Sequence, residues 1–484
     1  MGPALLAATV TVALVVQDRT PLRAASHDAS PRQTTLTAGD WLEVRGEGQG
    51  YLQVYDHRRE RAGYVRPDAV RAYAVDEASA PKLGAIVEYL RDAPGQESLG
   101  IGYAALFLRA APPVTVTAEV FDAIGTMAER LGRRASTSAA HDTDAALAQV
   151  EAAETYGVHF ARFERDGQTC ICYDGEAFRR VLAMGATGPA RVRAALGLTD
   201  PGCADSAAGT PGALAKWRAD VLSAVDASAL GPDVSDRERA RLHMRGATVR
   251  SELSYFAARS GDLALAKQAS DAARRDLALV DRAVLADEDR PAYEEAALHA
   301  AAARWAGETA TPAGASAFAV DIVAGEPGQT CVRVTRTGPT PAKIVDHCTY
   351  ALVWPSSVRI APHDAAVTLV TEPLAGWDEL LMLHPAGNGW AADTIAPASV
   401  DPELGYVELA GFSPDGTHLA VVREARVTGP LGSPHTVAGR TERSFQVVVA
   451  ADQRVEKSAS TLAGASAFKK WQTADWKRGT LSLR

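Results

Sequence analysis

The spacing of apolar and polar positions changes twice along the chain and divides it into three stretches. Up to about Tyr73, short apolar runs are cut by turn residues, and Leu36–Val44, Tyr51–Tyr55 and Gly63–Val65 are predicted strands. From 81 to 307, apolar residues recur every three or four positions in an alanine-rich background. This predicts helices over Lys82–Arg91, Leu99–Leu108, Ala118–Leu131, Thr143–Tyr156, Gly175–Ala183, Ala190–Ala195, Pro211–Asp226, Ser235–Arg259, Leu263–Leu285 and Pro291–Gly307. A hairpin of Val158–Glu164 and Thr169–Tyr173 about Asp166-Gly167 interrupts them. Ser235 with Glu238 makes a capping box, and Ser260-Gly261-Asp262 a sharp turn between antiparallel helices. From 313 to 484 strands and turns return.

That last stretch carries an internal repeat. Ala361-Pro362-His363-Asp364-Ala365-Ala366-Val367-Thr368-Leu369-Val370 aligns without a gap to Ser413-Pro414-Asp415-Gly416-Thr417-His418-Leu419-Ala420-Val421-Val422. A further apolar run follows each copy, Glu379–Leu383 after the first and Phe445–Ala450 after the second. Ala313–Phe318 and Ala463–Phe468 share a second, weaker likeness.

The 484 residues are 47% apolar and 23% charged, which suits about three globular domains and excludes disordered or fibrous classes. A formal net charge of −9 argues against nucleic acid as a partner. Ala4 to Val16 is uncharged and reads as the apolar core of an export signal, cleaved near Ala7 or Ala8, or as a first strand over Thr9–Gln17. No later stretch approaches the roughly 18–20 apolar residues of a membrane span, so an integral membrane protein is not expected. Of five cysteines, Cys331 and Cys348 flank a short Gly-Pro loop between strands, the arrangement of a cross-strand disulfide. Cys203 can bridge one of Cys170 and Cys172, with Cys172 the candidate, and leaves one thiol over. No metal site is expected there, because no histidine completes a ligand set.

Four motifs near the start carry a resemblance. Thr20-Pro21-Leu22-Arg23-Ala24, Ala38-Gly39-Asp40-Trp41-Leu42-Glu43-Val44, Tyr51-Leu52-Gln53-Val54 and Ala62-Gly63-Tyr64-Val65-Arg66 follow in order the strand signatures of bacterial SH3-like domains. The resemblance implies a small barrel that binds peptide or cell-wall material, often beside a hydrolase. Its available aromatics are Trp41, Tyr51, Tyr55 and Tyr64; alternation puts Tyr51, Gln53 and Tyr55 on one face, while the loop Asp56–Arg61 is densely charged. Phe412-Ser413-Pro414-Asp415-Gly416 with Leu419-Ala420 resembles the turn motif of TolB and WD40-like propeller blades. At the spacing of the repeat the stretch holds roughly three blades, short of the four to eight that close a ring, so a partial propeller or a sandwich is expected. Ala257–Ala272 resembles a tetratricopeptide-type turn in a general way.

The expected fold class is therefore multidomain α+β. Its parts are a candidate signal remnant (1–16), an SH3-like β-barrel (17–75), a helical scaffold with a short hairpin (81–307) and an all-β domain of blade-like hairpins (313–484). Enzyme signatures are missing: there is no G-x-S-x-G elbow, phosphate loop or dinucleotide fingerprint, so no catalytic residue and no cofactor is assigned. Cys172 stands before a predicted helix but is explained by its bridge. Glu295 and His299, one helical turn apart, read as an exposed pair and not as metal ligands. Trp471 and Trp476 among the bases of Lys469–Arg478 read as closing the last strands. The function expected is an exported, periplasmic or envelope-associated binding or scaffolding protein whose partner is a peptide, peptidoglycan or a protein. The alternatives are a cell-wall hydrolase with its site at the helical–β boundary, or a subunit of a surface assembly.

Overall fold

A computed structural model describes residues 11–137, 140–165, 168–203, 209–225, 230–309, 316–399, 402–427, 440–466 and 468–482. The first ten residues of the candidate signal with its cleavage point, the Asp166-Gly167 turn and residues 313–315 of Ala313–Phe318 lie outside them. The chain divides into two compact units, Met1–Ala207 with Ser228–Val234 and Ala208–Ala227 with Ser235–Arg484. The helical stretch expected as one domain is thus shared between the two.

In the first unit β1 (Thr11–Val15), β2 (Thr20–Arg23), β3 (Arg32–Leu36), β4 (Trp41–Gly48), β5 (Tyr51–Asp56), β6 (Arg61–Val65) and β7 (Val70–Ala74) form one antiparallel sheet in the order β3-β2-β6-β5-β4-β1-β7. Ala13, Val15, Leu22, Leu36, Leu42, Val54, Val65 and Val70 pack into a core supplied by the sheet alone, which requires the sheet to curl around it. The edge strands β3 and β7 do not pair among the described residues, so no closed barrel is formed there. The single strand expected over Leu36–Val44 is two strands. Between them Gly39 sits at φ +99°, where a Cβ would lie 2.5 Å from the Ser98 carbonyl oxygen, so the chain turns at a glycine that nothing larger can replace.

On the outer face Val12 and Leu14 pack against helices of the same unit. These are α1 (Ala80–Arg91), α2 (Glu97–Ala110), α3 (Ala118–Thr137), α4 (Ala140–Glu154), α5 (Glu176–Ala183) and α6 (Gly188–Leu198), with the hairpin β8 (Phe160–Arg165) and β9 (Gln168–Tyr173) between α4 and α5.

The second unit begins with α7 (Pro211–Ala224), α8 (Asp236–Arg259), α9 (Leu263–Ala278) and α10 (Arg290–Ala302). The Ser235–Glu238 capping box is formed. Helix α9 stops at Ala278 instead of reaching Leu285, because Asp281 caps a separate 3-10 turn at Ala283 and lets Leu285 fold back into the helical core. Strands β10 (Phe318–Ala324), β11 (Thr330–Arg336) and β12 (Ala342–Thr349) make a three-stranded sheet. The eight-stranded sheet joins two meanders. One is β13 (Leu352–Ile360), β14 (Val367–Leu374), β15 (Trp377–Ala386) and β16 (Gly389–Ile395); the other is β17 (Gly405–Phe412), β18 (His418–Val427), β19 (Arg440–Val449) and β20 (Val455–Ala459). A parallel contact at Trp377 and Gly405 splices them.

Alternation gives this sheet two apolar faces. Val370, Leu380, Met382, Val407, Leu419 and Val421 pack with Ala257, Ala258, Ala266 and Trp305 of the helical layer. On the opposite face Val367, Leu369, Leu381 and Leu383 meet Val332 and Val334 of the small sheet, and Ala420, Val422 and Phe445 meet Phe468 and Trp476 of α11 (Phe468–Trp471) and α12 (Ala474–Gly479). The described strands form a layered open sheet, with no closed propeller.

Candidate functional site

The outer face of β4, β5 and β6 leaves polar and aromatic side chains partly uncovered. Gln53 stands opposite Gly46 on one side and Tyr64 on the other, and Tyr55 stands between Glu43 and Ala62. Because cross-strand partners share a face, Glu43, Gln53, Tyr55 and Tyr64 present a single surface. Gly46 keeps it open: a Cβ there would come within 3.3 Å of the Gln53 amide oxygen.

Each ring sits in a defined setting. Tyr55 is half-buried, with the Arg45 guanidinium 4.0 Å from its centroid and His57 edge-on at 4.8 Å. Glu43 accepts from His57 Nε2 at 2.7 Å and from Arg45 Nε at 3.3 Å, and these two partners hold its carboxyl below the usual range. Tyr51 is buried and donates its hydroxyl to Asp28, whose carboxyl Arg66 and then Tyr51 hold below the usual range. Arg66 also stands 5.7 Å from the Tyr51 ring centroid. Tyr64 is half-buried and pairs with Arg23 of β2.

The structure thus brings Tyr55 and Tyr64 together on the open surface, with Tyr51 sealed at its margin. Trp41 lies apart from them. It is at the start of β4, beside Tyr156 at 5.7 Å and Arg109 at 5.6 Å, and packs against the helical core. Comparisons with protein-family models, with curated proteins and with solved structures find no match. What this face can do chemically must therefore be argued from its own groups. It offers two partly open phenol rings, an amide and a row of ion pairs, a set that stacks and hydrogen-bonds an extended polar chain.

Both expected disulfides are present, Cys172–Cys203 in the first unit and Cys331–Cys348 in the second, and Cys170 is the free cysteine. Cys331 and Cys348 are directly opposed on β11 and β12. Cys172, bonded to Cys203, is no free nucleophile. Among the described residues the one cluster with metal-ligand proximity is Cys331, Asp346 and Cys348, and its two sulfurs are bonded to each other. The expected exposed pair of Glu295 and His299 does not form. Glu295 accepts from Arg426 at 3.2 Å, while burial and then the Arg426 charge push His299 down to about 4.

Pattern reading missed a set of buried acids in the second unit. Glu408 accepts from Arg304, Trp476, Thr480 and Ser482, tying the end of the chain to β17. Glu424 accepts from Tyr406 at 2.7 Å and from Arg443 through two bonds. Glu372 accepts from the Trp354 indole and the Gly376 amide, and burial still pushes it up to about 8. Asp378 is fully buried, and no hydrogen bond of good geometry reaches either of its oxygens. Burial and then the Glu372 charge raise it well above the carboxylate range, and Arg304 and Trp305 offset this only in part. For Glu372 and Glu408 the sequence signal is a lone acid inside an apolar strand.

Proposed function

We propose that the chain is an exported, envelope-associated binding protein whose N-terminal sheet, an SH3-like module by its motifs, engages an extended peptide. The stem peptides of peptidoglycan are the first ligand to test. One observation carries the reading: Tyr55 and Tyr64 share an open face with Gln53 between charged borders. The two disulfides support an oxidising compartment. No described helix is long and apolar enough to cross a membrane, which accords with a protein that is not membrane-spanning. The second unit, with its paired meanders of blade-like hairpins, serves as the scaffold.

The test is co-sedimentation with peptidoglycan sacculi, comparing wild type with Tyr55→Ala/Tyr64→Ala. Loss of two stacking rings weakens binding by about tenfold or more while circular dichroism is unchanged. Equal sedimentation of the folded variant, or none of the wild type, overturns the reading, and release of soluble fragments would replace it with the hydrolase.

A further inference from the structure

The second unit holds a pocket of about 470 Å³ lined by Arg282, Leu285, Arg290, Tyr293, Glu294 and Arg443. Three guanidinium groups meet there from separate elements: Arg282 from the 3-10 turn after α9, Arg290 from the start of α10, and Arg443 from β19. Their donors are only partly used among the described residues. Arg443 spends Nε and Nη2 on Glu424 and keeps Nη1 free. Arg290 makes one contact, Nε to Asp287 at 3.2 Å, with both side chains largely exposed. Arg282 makes no ion pair among the described residues and lies over the Tyr293 ring at 5.6 Å. Glu294 is the one carboxylate in the lining itself, while Glu424 and Asp287, the partners of Arg443 and Arg290, stand outside it, so the lining presents three guanidinium groups to one carboxylate.

A planar guanidinium presents its donors in a fork that matches two oxygens of one anion, and three such forks around a concave space favour an oxyanion over a neutral or cationic ligand. The Tyr293 face fixes Arg282 in place and adds apolar surface beside Leu285. The volume exceeds that of a bare ion and suits a small molecule or the end of a chain. We propose that this pocket binds an oxyanion, carboxylate or phosphate, borne on a small ligand or a chain terminus. Arg282 and Arg290 supply the free donors, and Arg443, fixed by buried Glu424, sets the position of the third.

The experiment is isothermal titration calorimetry of the full chain at low ionic strength with inorganic phosphate, with succinate and with glucose. Saturable heat is expected for an anion and none for glucose; tighter phosphate assigns a phosphate ligand and tighter succinate a carboxylate. Arg282→Ala/Arg290→Ala weakens binding by about tenfold or more. Glu294→Gln strengthens it several-fold, a change that a misfolded protein cannot imitate. Failure of both anions to saturate, equal heat with glucose, or affinities unmoved by these variants overturns the proposal.

Discussion

Replacing Asp378 by Asn makes a pH-dependent prediction whose size follows from burial alone. In the native protein the Asp378 carboxyl is fully enclosed, has no hydrogen bond of good geometry and sits beside Glu372, so it holds its proton well above the ordinary value of 3.8. The unfolded chain releases that proton above 3.8. Through the window between the two values the native state binds one proton more, and stability falls as pH rises by about 1.4 kcal/mol per pH unit. The slope does not depend on how far the native value is raised, provided the group stays neutral. Asn cannot ionise, so the variant lacks this slope.

Other groups bend the absolute profile. Glu372 adds a falling limb from 4.5 to about 8. His299 adds a rising one between about 4 and 6.5, because the unfolded imidazole takes a proton that the packed native one refuses. The His299 limb is common to wild type and variant and cancels in the difference, and the Glu372 limb cancels with it while Asp378 stays neutral, because Asn then replaces one uncharged neighbour by another. From pH 5 to pH 7, Asp378→Asn should therefore gain about 3 kcal/mol relative to wild type. Urea unfolding at pH 5, 6 and 7, followed by tryptophan fluorescence, measures it, since Trp305, Trp354 and Trp377 are all buried in this unit. Parallel stability profiles of the two proteins would refute the reasoning.

Two further outcomes are expected. Glu408→Gln removes the nearer of the two carboxylates on buried Arg304, leaving only Glu308 at 3.6 Å, and weakens the tie to Trp476, Thr480 and Ser482; it should cost roughly 3 kcal/mol, read by urea unfolding, and expose the segment after Phe468 to limited proteolysis. Thiol titration of denatured, unreduced protein should find one reactive thiol at Cys170, with peptide mapping linking Cys172 to Cys203 and Cys331 to Cys348; any other linkage contradicts the structure.

How much of this was legible in the sequence differs with the kind of signal. Local chemistry read well: the Ser235 capping box, the opposed Cys331 and Cys348, and the breaks between helices depend on residues close in sequence. The division of the helices between two units did not, because alanine-rich amphipathic helices carry no mark of which layer they will cover. The Trp41 ring is grouped with the tyrosines by the SH3-like resemblance, and motifs say nothing about what covers each ring; helices cover the Trp41 end and leave Tyr55 open. The buried acids were hidden for a related reason. A lone Glu in an apolar strand looks like a solvent-facing position until Arg304 and Trp476, far off in sequence, arrive to satisfy it.

The repeat at Ala361 and Ser413 is structurally real yet does not lead to a ring of blades. In both copies the first residue's amide donates to the carbonyl five positions on, Ala361 to Ala366 and Ser413 to His418, and the fourth position takes a left-handed φ, +54° at Asp364 and +71° at Gly416. The two turns also touch: a Cβ on Gly416 would fall 2.6 Å from the Pro362 carbonyl oxygen. Both turns thus start equivalent strands, β14 and β18. In a propeller each blade packs its faces against neighbouring blades. Here the helices take one face of both meanders, while the other face is covered by the small sheet under β14 and by the C-terminal helices under β18. Among the described residues both faces of the two meanders are covered in this way, which leaves neither face to a further blade.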